Sequence, residues 1–561
     1  MLVALLCLAL AAAACTTDSE GGDDPDVTGG GGEEADGNAE GDSDGPPATS
    51  PGGGDPEFGG ILRYGIEAEV DGLNPTVNRF AASGRIMGTA VYDALSRSNA
   101  DGVAEAYLAE SFTPNADFTR WEMKVREGIT FHDGAVLDAD AVITGLESTL
   151  GDPLISLAVK PNLEADNEVE KVDEMTVAFN ASLPTANFPE LLTGQLGMVP
   201  SPDWIAATKD DAALNQEPVG TGPFMFEDRL QDSKTSFVKN PDYWAGEVYL
   251  DGVEFRPITQ ETARRQALQG GDIDIMHTTD AATIKELRED SNFVTNVDDT
   301  GEETFVQFNT AAPPFDDQRA RAALSWATNR ETYVAIVGQD VRIPANSYFH
   351  PDTPWHNPDL VQPTDDPDQA EMLVAEFCAE KADQCNNGKI VMTFGYSAPS
   401  AANDLAADTL INGAWDRFFE VERQEVRQAD FITQVALGQY QAVLYRLFGG
   451  QDPDLDRIWI DCDTIDAISL NWARYCNPDV QELLEFQRGS EDRAARVEAW
   501  QEIAQIYNED FVYLFLTHTP WAVIHSTSVH AVTQGLMADG TSPSKPFDLS
   551  IHPFNQIWMD Q

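Results

Sequence analysis

The residues able to do chemistry are few, and their spacing does not suit it. His518, His525 and His530 stand close together in the chain. Metal ligands on one face of a strand need even spacing, and these lie seven and five apart. They are expected to be structural or surface residues. His132, in the string FHDG, has the chemistry of a general base. No nucleophile or second carboxylate is spaced to work with it, so a structural turn is expected there. Asp452, Asp454 and Asp456 alternate as in some calcium loops, yet QDPDLDRIW lacks the Gly and the closing Glu of an EF-hand. No GxSxG elbow, HExxH pair or phosphate-cradling GxxxxGK loop occurs. The sequence thus predicts no enzyme, no resident metal and no cofactor. Tyr445, Phe448 and Trp459 flank or follow the acidic string, and either line a pocket or belong to a core.

Six cysteines remain to be placed. Residues 1–15 are apolar and end in Ala12-Ala13-Ala14 before Cys15, which resembles the end of a bacterial lipoprotein signal peptide whose cysteine takes lipid after cleavage. Cys7 would leave with that peptide. An extracytoplasmic chain favours disulfides, and Cys378 with Cys385 and Cys462 with Cys476 are the local pairs. None of these spacings is CxxC, which disfavours zinc.

Residues 16–57 hold 13 acids, 12 Gly and 5 Pro. Such a stretch cannot bury enough apolar area to offset its ordering entropy. As a coil its ends would lie roughly 35 Å apart, and like charges extend it further. It reads as a tether. The whole chain of 561 residues carries 95 acids against 34 Lys and Arg, a net charge of −61. That surface repels phosphate backbones and excludes nucleic acid as a partner. The acidity fits either a saline habitat, where salt screens the repulsion, or lineage composition. With 42% apolar residues, 11 Trp and 27 Phe, the rest is globular and long enough for two or three domains.

From Phe58 onward the pattern alternates between strands and helices. ILRYGIEAEV, WEMKVR, TVAFN, DIDIM, FVQFN and FVYLFLTH read as strands. Asp138 is placed to cap a helix through Val142 and Leu146, and TARRQALQGG reads as a helix with a Gly stop. One long helix is predicted over 318–337. Another spans 490–507, capped by Ser490, with Val497, Trp500, Ala504 and Tyr507 on one face. The alternation indicates α/β domains.

Several strings together carry a resemblance. They are LAESFTPNADFTRWEMKVREGITFHDGAVLDADAVI (108–143), VGTGPF (219–224), KNPDYW (239–244), FNTAAPPFDDQRARAALSWATNR (308–330), YCNPDV (475–480) and the strand leading to Trp521. In this order they resemble the extracellular solute-binding proteins of family 5, which serve peptide-, nickel- and oligosaccharide-type ABC importers. The resemblance covers residues 58–561.

It implies an α/β, two-lobed periplasmic-binding-protein-like fold (type II, cluster C) with an extra domain inserted in lobe one. Lobe one would comprise 58–100, 218–308 and 520–561, the insert 101–217 and lobe two 309–519. The implied function is capture of a small solute, most readily an oligopeptide, by a monomer that hands it to ABC permease subunits. An oligosaccharide or a nickel complex is the alternative within the class. A surface-anchored hydrolase would need a constellation the chain lacks, and a sensor of ligand state would share the fold. The implied location is the outer face of a bacterial cell membrane, held by lipid on Cys15.

The resemblance also nominates contacts. Tyr64 and Glu67 fall in the N-terminal loop, and Phe308 and Asn309 on the hinge strand. Peptide-binding relatives hold the peptide amine with an aspartate that an arginine precedes by six residues, matching Arg446 and Asp452 here. A second register matches Asp452-Pro453 to a downstream Asp-Pro and places the amine position on Gly449. Phe448 lies beside it in either register.

Overall fold

The computed structural model describes residues 55–99, 102–153, 155–298, 300, 302–398, 400–448, 452–533, 552 and 554–561. Cys15, nearly all of the expected tether, and Gly449 lie outside them, as does the side chain of Phe448.

The first lobe is built on a seven-stranded sheet. Its strands run in the order Phe293–Asp298, Trp521–Ser526, Ile275–Thr278, Ile61–Ile66, Gly252–Pro257, Lys234–Lys239 and Phe224–Leu230. Ile61–Ile66 lies centrally and pairs in parallel with Gly252–Pro257 and Ile275–Thr278. A parallel strand covered on both faces needs no strict polar alternation, which is what ILRYGI shows. Leu62, Tyr64, Phe224 and Phe255 pack in one core, and Leu268, Met276, Ile284 and Ile524 in another. The helix Glu261–Gly270 stops at Gly271, whose φ of 74° is the left-handed conformation that glycine adopts without strain.

The second lobe has its own seven-stranded sheet. Glu302–Phe308 runs antiparallel between Tyr513–His518 and Ala442–Phe448, and Lys389–Ala398 and Phe419–Arg427 extend the sheet in parallel. The two-residue period of Glu302–Phe308 feeds both faces. Val306 and Phe308 join Phe394 and Trp415 on one side, and Phe305 joins Trp500 and Tyr507 on the other. The lobe boundary expected after Phe308 is therefore corrected. Glu302–Phe308 belongs to the second lobe because its apolar residues fill that lobe's two cores. The chain crosses between Asp298 and Glu302 and returns between His518 and Trp521.

The insert has a four-stranded sheet, Ala109–Pro114, Arg120–Val125, Thr176–Asn180 and Val169–Lys171. Trp121, Met123 and Val177 pack there with Val142 and Leu146 of the helix Ala139–Gly151. Asp138 caps that helix by accepting from Ala141 N at 2.9 Å. His132 ties the insert to the first lobe. Its Nδ1 accepts from Gly220 N at 3.3 Å, so Nε2 carries the proton and donates to Gly222 O at 2.9 Å. FHDG is a turn that staples two segments.

Two helix expectations are corrected. The stretch 318–337 is broken after Ala327, because Thr328 is extended and Asn329 caps a new turn by accepting from Thr332 N at 2.7 Å. The helix Arg493–Glu509 is capped by Asp492, which accepts from Ala494 N and Ala495 N, and not by Ser490. Both expected disulfides form, with Cα separations of 5.7 Å for Cys378–Cys385 and 5.0 Å for Cys462–Cys476. Among the described residues no single helix is long and apolar enough to cross a membrane.

Among the described residues, besides the pair Lys285–Asp340 and Val341 packed on a lobe-one core, the lobes touch at two places. One is the pair of crossings. The other joins the insert to lobe two through Arg488, which is fully buried. Its Nε donates to Thr185 Oγ1 at 2.8 Å and its Nη2 to Asn162 Oδ1 at 2.7 Å, while its carbonyl accepts from Ala186 N at 2.7 Å.

Candidate functional site

The crossings hold a cluster of buried charge. Thr519 N donates to Glu302 O at 2.8 Å and the hydroxyls of Thr304 and Thr519 lie 2.9 Å apart, which ties one crossing to the other. Glu302 accepts from Trp521 Nε1 at 2.8 Å and forms an ion pair with Arg446. Arg446 then reaches over the boundary, its Nη1 donating to Thr279 Oγ1 of lobe one at 3.1 Å. Arg342, also of lobe two, donates from Nη2 to the carbonyl of the same Thr279 at 3.3 Å. On the lobe-one side, the His277 ring stacks on Trp521 with centroids 5.7 Å apart, and its Nε2 is 3.7 Å from Glu67 Oε2.

Burial sets the electrostatics. Glu302 is wholly enclosed, and burial pushes its carboxyl up to about 7 against the pull of Arg446 and the Trp521 N–H. Burial would also raise Glu67, but His277, Arg264 and Arg446 outweigh it and hold this carboxyl below its ordinary value. Arg342 is held below its usual range, first by burial and then by the Arg446 charge, against Tyr333, Glu302 and Asp280. Opposite charges from two lobes thus converge on one boundary. They can pair with a solute's charged ends and hydrogen-bond it, but no nucleophile and base stand together among them. A cavity of about 20 Å³ inside the insert, lined by Leu95, Leu146, Phe179 and Phe188, is apolar and holds a water at most.

A profile of the bacterial extracellular solute-binding proteins, family 5, matches residues 104–461, which span the insert and most of both lobes. The chain belongs to this family. As a family 5 protein it binds solutes and is not an enzyme. Di/tripeptide-binding protein 2 of Pseudomonas aeruginosa is 26% identical over 433 residues, covering 73% of this chain and 80% of that one. In structure, the chain is similar to the Helicobacter pylori periplasmic binding protein DppA in complex with the peptide STSA, with a TM-score of 0.77 and 19% identity over 90% of this chain and 99% of that one. It is also similar to NikA of Brucella suis in complex with Fe(III)-EDTA, with a TM-score of 0.74 and 20% identity over 89% of this chain and 100% of that one. Both neighbours confirm the two-lobed periplasmic-binding fold.

The nominated contacts fare unequally in this family 5 fold. Glu67 and Arg446 meet at the boundary as described. Tyr64 does not face it. Its ring is buried in the lobe-one core between Phe255 and Phe554, with its hydroxyl 3.1 Å from His552 Nε2. Phe308 is a lobe-two core residue packed on Phe315, with centroids 4.7 Å apart. Asn309 uses Nδ2 on Gly438 O and Tyr440 O and Oδ1 on Ala311 N, so its polar atoms are already engaged. All three are corrected to structural roles. Of the aromatic residues, Tyr445 and Trp459 are both half-buried and pack on Trp472 at the edge of a lobe-two core.

Asp452 is corrected as well. Its carboxylate is buried against Arg496 at 2.5 Å and also accepts from Asp454 N at 2.9 Å, capping the turn Pro453–Trp459. It has no charge left for a ligand amine. Its place at the head of Asp-Pro-Asp agrees with the second register. The residues that the sequence reading missed are Glu302, Arg342, His277 and Thr279. The two acids opening the apolar strand of Glu302 were a usable signal, because buried acids need partners. Arg342 offered none.

Proposed function

We propose that the chain is the receptor of an ABC importer. It closes its lobes on a short peptide and delivers it to a membrane permease, held at the outer face of the membrane by lipid on Cys15. One observation supports this above the others: Glu67 of lobe one and Arg446 of lobe two bring opposite charges to the same boundary. In this reading Glu67 takes the peptide amine that Asp452 cannot take. A peptide bridging the boundary favours closure because it contacts both lobes only when they are shut. The peptide-binding relative of Pseudomonas aeruginosa supports the same solute class.

Calorimetry of the full chain with tri-alanine tests this. A peptide at 100 times its dissociation constant adds about 2.7 kcal/mol of stability. Glu67→Gln is expected to weaken tri-alanine roughly tenfold and to leave N-acetyl-tri-alanine unaffected. Stabilisation by oligosaccharides or nickel chelates alone would overturn the peptide reading.

A further inference from the structure

Glu302 opens its strand just after the chain crosses into lobe two, and groups of both lobes enclose its carboxyl. From lobe one, Trp521 donates its Nε1 to it at 2.8 Å. From lobe two, Arg446 pairs with it and also donates to Thr279 of lobe one at 3.1 Å. Arg342 of lobe two and Glu67 of lobe one add charges of opposite sign, and Tyr445 faces it from the strand of Arg446. His277 of lobe one lies 3.7 Å from Glu67. The neighbouring Glu303 is buried too, but the groups that face it, His518 at 3.7 Å, Tyr348 and Asp456, all belong to lobe two. The main chain of the crossing is pinned, because Thr519 N donates to Glu302 O at 2.8 Å. A hinge motion about that point would draw Trp521 and Thr279 away from the Glu302 carboxyl and admit water to it. Enclosure raises this carboxyl to about 7, and hydration would return it towards its ordinary 4.5. Between those values the enclosed carboxyl holds a proton that the hydrated one releases.

We propose that Glu302 makes lobe closure proton-dependent, so that the receptor holds its solute more tightly in mildly acidic than in neutral surroundings. This rests on reading the molecule as two lobes that shut on a solute, and adds the group through which acidity acts on them. A group that binds a proton in one conformation and releases it in the other shifts the balance between the two. Solute capture follows the same balance, because the solute favours the shut form, and by reciprocity capture draws in a proton. Glu303 carries no such coupling, because the groups that face it move with it in one lobe.

The test uses the full chain and its Glu302→Gln and Glu303→Gln variants, with tri-alanine as the probe and circular dichroism as the check on folding. Both ends of tri-alanine stay mostly ionised between about pH 5 and pH 7. Calorimetry is expected to show wild type binding roughly tenfold tighter at the lower pH. In buffers of different ionisation enthalpy near the middle of that range, binding should take up about one proton. Glu302→Gln should bind within about twofold at both pH values and take up none, whereas Glu303→Gln should keep both effects. A wild-type affinity that is flat, or that rises with pH, overturns the proposal and leaves the peptide reading standing. So does a pH effect that survives in Glu302→Gln or vanishes in Glu303→Gln. If Glu302→Gln does not fold, proton uptake by wild type decides, and its absence overturns the proposal. If tri-alanine binds at neither pH, the peptide reading falls, and small-angle scattering of the solute-free chain decides instead. A larger radius of gyration at the higher pH, absent from Glu302→Gln, upholds the proposal, and equal radii in wild type overturn it.

Discussion

The carboxylate of Asp452 lies 2.5 Å from the guanidinium of Arg496, and both side chains are buried. Arg496 belongs to the helix Arg493–Glu509 and also contacts Gln487. Breaking a buried pair by removing one partner leaves an uncompensated charge and costs about 3–5 kcal/mol. Asp452→Asn is therefore expected to lower the denaturation midpoint strongly. Below that midpoint, tri-alanine affinity should change by less than about twofold. A large affinity loss without a stability loss would return Asp452 to the ligand site.

This pair also shows what the sequence could and could not tell. The spacing of Arg446 and Asp452 suggested partners in one site, but the helix that supplies Arg496 begins some forty residues later in the chain. Local signals read well. Asp138 caps its helix, Gly271 ends another, and Val497, Trp500, Ala504 and Tyr507 meet in one core, because capping and periodicity are properties of neighbours in sequence. Tyr64 and Phe308 were misplaced for the opposite reason. Whether an aromatic residue on a strand faces a core or a cleft depends on which helices cover that face. The boundary cluster of Glu302, Arg342, Arg446 and Thr279 draws on four separate segments, and only the fold brings them together.

The insert meets lobe two through Arg488, so separating the insert from lobe two would break this contact. Hydrogen bonds from a charged group contribute about 1.5–3 kcal/mol each, and Arg488 makes two with the insert. Arg488→Gln is expected to open the solute-free protein, seen as a larger radius of gyration by small-angle scattering. Tri-alanine should close it again with roughly tenfold weaker affinity. Unchanged dimensions in the variant would show that the insert takes no part in closure.

Glu302 predicts a pH effect of definite sign. Its carboxyl is raised from 4.5 to about 7 in the folded protein. Between those values the folded state binds more protons than the unfolded state, so this group lowers stability as pH rises from 4.5 to 7. Glu302→Gln removes this pH dependence. The melting temperature of the variant minus that of wild type is expected to climb across that window and then level off. A flat difference would show that Arg446 holds Glu302 ionised throughout.

Lipid on Cys15 is expected to hold the receptor beside its permease. The apolar run before Cys15 and the acidic stretch after it suit an anchor and a spacer. Cys15→Ser should block incorporation of labelled fatty acid and move the protein from the membrane fraction to the medium. Retention of label in that variant would place the lipid elsewhere.

The disulfide Cys462–Cys476 ends just before Asn477, which caps the helix Pro478–Arg488 by accepting from Asp479 N at 2.9 Å. The bridge therefore fixes the start of the helix whose last residue closes on the insert. A loop of about 15 residues contributes about 3 kcal/mol by loss of unfolded-chain entropy, and the shorter Cys378–Cys385 loop about 2.5 kcal/mol. Replacing either pair by serines is expected to lower stability by about those amounts in urea. Only loss of Cys462–Cys476 should also weaken tri-alanine, because only that bridge positions Arg488. Equal effects of the two replacements on affinity would separate the bridge from closure and leave it a matter of stability alone.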